Sequence, residues 1–198
     1  MAAWFWFTFF LQQSLIISLY TRVLEIMRSS PNSIANASQW RYRIRVSFDL
    51  DDTLTSHCRK VPIETSLFPT FIHHWLGEPL RRGTKRLFRE LRHRDCSVWI
   101  YTSSGRSSAY IQRWFLLHGI RIDGVVNGNR HHRALDRHYL KRLPSKFPPA
   151  FGIDLHVDDS EGVKMEGDEL GFRVLVINPY DERWMEKVLD AVARLRYT

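Results

Sequence analysis

Cysteine is nearly absent: Cys58 and Cys96 are the only two in 198 residues. They form neither a disulfide framework nor a metal-binding pattern, so both read as reduced thiols in a cytosolic setting. No internal repeat and no low-complexity tract is visible. Charge is missing from Ala2 to Tyr20, a run rich in Trp, Phe, Leu and Ile and about as long as the ~20 residues that cross a hydrocarbon core. That run also lacks the basic flank of a secretory signal, and the nearest A-x-A pattern, Ala35-Asn36-Ala37, lies well beyond it. Positive residues begin afterwards, at Arg22, Arg28, Arg41, Arg43 and Arg45. If residues 2–20 span a membrane, the positive-inside rule keeps the following domain on the cytoplasmic side. Two other readings stay open: a helix packed on the domain, or an extension upstream of a true start at Met27. The expected organisation is an apolar N-terminal helix over 1–28, a polar linker with Pro31 over 29–42, and one folded domain over 43–198.

What is present argues for a folded domain. Hydrophobic residues make up 44% and charged residues 25% of the chain, which excludes a disordered polyelectrolyte. The formal net charge of +8 favours an anionic partner, whether a phosphorylated substrate, nucleic acid or membrane surface.

From Ile44 onward, short apolar runs alternate with helical patterns. Strands are expected at Ile44–Phe48, Ser97–Tyr101, Ile120–Asn127 (with Gly124 a turn or bulge), before Asp158, and at Phe172–Ile177. Helices are expected over residues 69–75, from Pro79 through Leu91, over Ser107–His118 with Gly119 ending it, and over Asp181–Tyr197. Arg130-His131-His132-Arg133 reads as a basic surface. The prolines of Lys146-Phe147-Pro148-Pro149 exclude a continuous helix there. This alternation predicts an α/β fold, a three-layer Rossmann-like parallel sheet flanked by helices.

Chemistry collects where strands end. Arg43-Ile44-Arg45-Val46-Ser47-Phe48 runs into Asp49, Asp51 and Asp52, three carboxylates within four positions. Clustered like charges resist desolvation, and a hard divalent cation with a phosphate substrate would offset that cost. An Asp-rich turn capping the next helix is the simpler alternative. The second strand ends in Thr102-Ser103-Ser104-Gly105-Arg106, and the fourth in Asp158-Asp159. In an open parallel sheet these positions meet at the carboxyl edge.

Taken together, the chain resembles the haloacid dehalogenase-like (HAD) superfamily, most of whose members are Mg²⁺-dependent phosphohydrolases. Phe48-Asp49-Leu50-Asp51-Asp52-Thr53-Leu54 matches the first motif, Val98–Ser103 the second, and Leu155-His156-Val157-Asp158-Asp159 the fourth. The resemblance runs from about Arg43 to the C-terminus. The third motif, a lysine, matches loosely: Lys146 is preferred because it precedes Phe-Pro-Pro, with Lys141 the runner-up.

The resemblance and the chemistry of the groups imply a role for each residue. Asp49 is the nucleophile that forms an aspartyl-phosphate, and Asp51 the general acid and then base. Thr102 and Lys146 serve catalysis at the phosphoryl group, and Ser103 and Arg106 bind substrate, with amides from Ser103 to Arg106 at the helix start. Asp49, Asp51, Asp158 and Asp159 hold Mg²⁺, with the division between Asp158 and Asp159 left open. Asp52 is a turn residue facing away, Asp154 comes too early on its strand, and His57 is a loop histidine. The segments between motifs leave no room for a large cap, so an open site admitting a nucleotide, a nucleic acid end or another bulky phosphoester is expected. No aromatic-basic platform or recognition helix for nucleic acid is evident. The rival functions are a non-catalytic binding module on the same scaffold and a phosphotransferase.

Overall fold

The computed structural model describes residues 43–55, 61–65, 78–136 and 143–196. The apolar run 2–20, the linker, the helix expected over 69–75, and His57, Cys58 and Lys141 lie outside them. Among the described residues no helix is long and apolar enough to cross a membrane.

Five strands form one sheet: β1 (Arg45–Phe48), β2 (Ser97–Tyr101), β3 (Gly124–Val126), β4 (Leu155–Asp158) and β5 (Val174–Val176). All pairings are parallel and the order is β3-β2-β1-β4-β5. Five described α-helices connect or follow them, α1 (Thr84–His93), α2 (Ser108–Leu117), α3 (Gly128–Leu135), α4 (Glu161–Leu170) and α5 (Trp184–Leu195), with a short 3-10 helix over Pro148–Phe151 before β4. The expected α/β parallel sheet is therefore observed. Strand order reverses at β1, which pairs Val46 with Val98 on one side and with Leu155 on the other. Such a switch point opens a crevice beyond the strands' carboxyl ends.

The two faces of the sheet are packed differently. Val46, Phe48, Val98, Ile100, Leu155 and Val157 point into the large core against α1, α2 and α5. Alternation along each strand sends the intervening residues to the opposite side. There the apolar clusters are small, one around Tyr101, Val126 and Ile153, another around Val163, Phe172 and Val174. Ser47 and His156 are fully buried among them.

Two expected elements differ. The helix anticipated from Pro79 begins at Thr84, because Leu80 and Arg81 instead make antiparallel bridges with Thr55 and Ile63. Gly83, at φ 95°, turns the chain from that bridge into α1, a conformation other residues adopt at a cost. The third strand, expected from Ile120, runs only over Gly124–Val126, so Gly124 opens β3 rather than bending it. A Cβ there would meet the Trp99 ring at 2.6 Å, so the glycine provides room for the indole.

Candidate active site at the β1–β4 crevice

The site begins with backbone pairing. Asp49 follows β1 directly, and its N–H donates to Val157 O at 2.9 Å, which fixes the first carboxylate beside the end of β4. The turn beyond it closes through Leu54 and Thr55 N–H groups on Leu50 O. Asp52 takes φ 58° within it, a left-handed value that Asp tolerates better than most residues. It is a turn residue, as expected.

Lys146 reaches this point from the other side. It is 3% exposed, and its Nζ donates to Asp49 Oδ1 at 2.5 Å and to Tyr101 O at 2.9 Å, with Asp158 Oδ2 at 3.5 Å. The lysine thus sits between the nucleophile candidate and the acidic pair. Several bonds hold its loop. Phe147 N–H donates to the Tyr101 hydroxyl at 2.8 Å, and that hydroxyl lies 2.6 Å from His131 Nδ1. His131 Nε2 lies 3.1 Å from Pro144 O. A carbonyl can only accept, so Nε2 carries the proton and the Tyr101 O–H donates to Nδ1. Ser145 N–H and O–H donate to Glu166. His131, expected on a basic surface, is instead a buried member of this network, because α3 carries it over Tyr101.

Asp158 is held just as firmly. Ser160 N–H donates to Oδ1 and His156 Nε2–H to Oδ2, both at 2.9 Å. His156 Nδ1 in turn accepts from Ser47 O–H at 2.8 Å. Burial lowers the His156 pKa, so the ring is neutral and this tautomer satisfies both partners. Burial alone would raise Asp158, but the His156 bond, Lys146 and the Ser160 amide outweigh it and hold the carboxyl at about 2. Asp49 goes the other way. Burial raises it against the pull of Lys146, and the Asp158 and Asp51 charges add to the rise, bringing it to about 6. Asp159, raised by burial and by Asp158, accepts from Thr53 Oγ1 at 3.2 Å.

Thr102 lies at the end of β2, 1% exposed, and its Oγ1 accepts from Ser104 N–H at 3.1 Å. Arg106 N–H is likewise engaged by Ser104 Oγ at 3.4 Å. Two of the four amides expected to face an anion are therefore used inside the loop. The Arg106 side chain, expected on substrate, donates to Asp51 Oδ2 at 3.0 Å and to Glu78 Oε1 at 2.7 Å. Ser103, the residue after Thr102, lines a cavity of about 370 Å³ with His131, His132, Ser145 and Glu166. Asp154 is remote: its Oδ2 accepts from Arg45 N at the opposite end of the sheet. Cys96 is buried with its thiol pushed up by burial, unsuited to nucleophilic chemistry.

Tyr101, His156 and Glu78 were not singled out from sequence, and His131 was read only as part of a basic surface. A signal existed only for His156, two positions before Asp158 and so on the same side of its strand. Tyr101 shows merely as the last residue of an apolar strand, and Glu78 gives none.

Among the described residues, no set of three or more His, Cys, Asp or Glu side chains is gathered at metal-ligand spacing. The donor chemistry still suits a hard divalent cation: every candidate ligand is a carboxylate oxygen. Burial raises Asp49 to about 6 even with the Lys146 ammonium 2.5 Å away, a desolvation cost that a bound cation would offset.

No family model matches the chain, and no curated protein matches it. Among solved structures it is similar to a HAD family enzyme from Bacteroides thetaiotaomicron in a magnesium complex, at 12% identity and TM-score 0.44, covering 72% of this chain and 96% of that one. A chain of the Pnkp1/Rnl/Hen1 complex matches at 18% identity and TM-score 0.43 over 75% of this chain. This chain spans half (50%) of that chain's length. A predicted HAD-like family hydrolase from Porphyromonas gingivalis matches at 13% identity and TM-score 0.40, covering 80% of this chain and 100% of that one. These are likenesses at low identity, and the chemical reading rests on this chain's own side chains.

Proposed function

We propose that this chain is a HAD-like, Mg²⁺-dependent phosphomonoesterase that works through an aspartyl-phosphate on Asp49. The observation that carries the reading is Lys146, buried between Asp49 and Asp158 at the switch point of a parallel sheet. A buried ammonium neutralises the repulsion between an attacking carboxylate and a phosphate dianion. Asp49, Asp51, Asp158 and Asp159 would hold the cation. His156 and Lys146 both face Asp158 Oδ2, while Oδ1 accepts from the Ser160 amide and has a second lone pair, so a cation would approach Asp158 through Oδ1. When bound, Mg²⁺ supplies further positive charge at the phosphoryl oxygens.

In this reaction Asp49 Oδ attacks phosphorus while the ester oxygen departs, taking a proton from Asp51. Water then attacks the aspartyl-phosphate, Asp51 recovers a proton from it, and phosphate leaves with Asp49 restored. Thr102 O–H is suited to donate to the phosphoryl oxygens, since its oxygen already accepts from Ser104. Short segments between the motifs and the +8 net charge support a bulky anionic phosphoester, such as a nucleotide or nucleic acid end, as substrate.

Turnover of an aryl phosphate with and without Mg²⁺ tests the reading. Mg²⁺-dependent hydrolysis is expected, with Asp49→Asn reducing kcat by at least about a thousandfold. Silence across a panel of phosphate esters with added Mg²⁺ would favour a binding module.

A further inference from the structure

The Arg106 side chain is not placed like a substrate clamp. Both terminal nitrogens of its guanidinium are engaged by carboxylates, Nη1 with Asp51 and Nη2 with Glu78. A substrate phosphate would have to compete with both. The fork is also braced from behind. Arg106 O accepts from Asn127 Nδ2 at 3.0 Å, and Asn127 caps α3. Glu78 O accepts from Trp114 Nε1 at 3.0 Å, tying that residue to α2. The Asp51, Glu78 and Arg106 side chains are 38%, 37% and 24% exposed. Ion pairs this wet contribute little stability, so the fork's consequence is geometric: a planar guanidinium fixes a carboxylate in position and orientation.

Resting on the phosphohydrolase reading, we infer that Arg106 is a positioning residue for Asp51, held by Glu78, and aims that carboxylate at the leaving-group oxygen. Arg106 acts through Asp51 and does not touch the phosphoryl group. The role therefore matters most for esters whose leaving oxygen needs a proton. An alkyl phosphate expels a strongly basic alkoxide and depends on Asp51 during phosphoryl transfer to Asp49. A p-nitrophenyl phosphate expels a stabilised phenolate and depends on it far less. The ratio of kcat/KM values for the two esters isolates the first step, because kcat/KM ends at release of the first product.

The test measures that ratio for the full chain in Mg²⁺, together with competitive inhibition by inorganic phosphate. Arg106→Gln is expected to lower the alkyl-to-aryl ratio by at least about tenfold, with the phosphate inhibition constant within about twofold of wild type. Glu78→Gln should lower the ratio in the same direction by less, and Arg106→Lys should recover part of the loss by restoring one ion pair. If Arg106→Gln fails to fold, as judged by its melting curve, Glu78→Gln and Arg106→Lys carry the same comparison. A parallel fall for both esters with weaker phosphate inhibition would make Arg106 a substrate clamp and overturn the inference. An unchanged ratio in all three variants would also overturn it. A wild-type protein silent on both esters would instead remove the phosphohydrolase reading, and this role with it.

Discussion

Asp49 is held at a cost to the fold. Its carboxyl is raised from 3.8 to about 6 by burial, more than Lys146 can offset. A raised folded-state value means that the fold binds this proton more tightly than the unfolded chain does. The associated stability is fully present below about pH 4 and is lost as pH rises through 6. Above that, the ionised side chain burdens the Mg²⁺-free protein by up to about 3 kcal/mol. Asp49→Asn removes the burden, so without Mg²⁺ it should melt above wild type at pH 8, with the difference shrinking toward pH 4. Thermal melts across that range check this, and a variant that melts lower at pH 8 would contradict it. The carboxylates and Lys146 were legible because their chemistry is local: three acids at a strand end, an acidic pair, a lysine before Phe-Pro-Pro. The contacts of Arg106 with Asp51 and Glu78 were not legible, because those residues lie 55 and 28 positions away and only the folded crevice brings them to it.

The elements that position the site combine backbone pairing with a few tight contacts. Strand periodicity located all five strands to within a few residues, since each pairs with an apolar neighbour in a buried sheet. The missed start of α1 has a specific cause: Leu80 looks helical by spacing, yet its carbonyl accepts from Glu64 N–H and the next amide, Arg81 N–H, donates to Leu54 O across the bridge. Gly124 was misread for the same reason, because its need for space comes from Trp99 on the neighbouring strand and leaves no mark in local sequence. Gly124→Ala would place a Cβ 2.6 Å from that ring. It should lower stability by about 1–3 kcal/mol, measured by denaturant unfolding, as β3 and β2 shift to relieve the clash. An unaltered midpoint would show that Trp99 moves freely. The Lys146 loop could not be derived this way. Tyr101, His131 and Glu166 hold it from three separate elements, and hydrogen bonds of that kind have no sequence period.

At the scale of the whole molecule, the parallel sheet explains why residues so far apart in sequence act at one place. The strand order β3-β2-β1-β4-β5 puts the ends of β1 and β4 side by side, and the loop before β4 delivers Lys146 between them. The alternation of strands and helices made this topology legible, as did three polar strand ends falling on one edge. The central claim is that Asp49 takes the phosphoryl group. Its most direct test mixes the wild-type protein with Mg²⁺ and p-nitrophenyl phosphate, quenches in acid within a turnover, and locates any adduct by peptide mass spectrometry. The account predicts one phosphoryl group on the peptide containing Asp49, absent without Mg²⁺ and absent in Asp49→Asn. A phosphoryl group on any other residue, or steady hydrolysis by Asp49→Asn at a near wild-type rate, would contradict it.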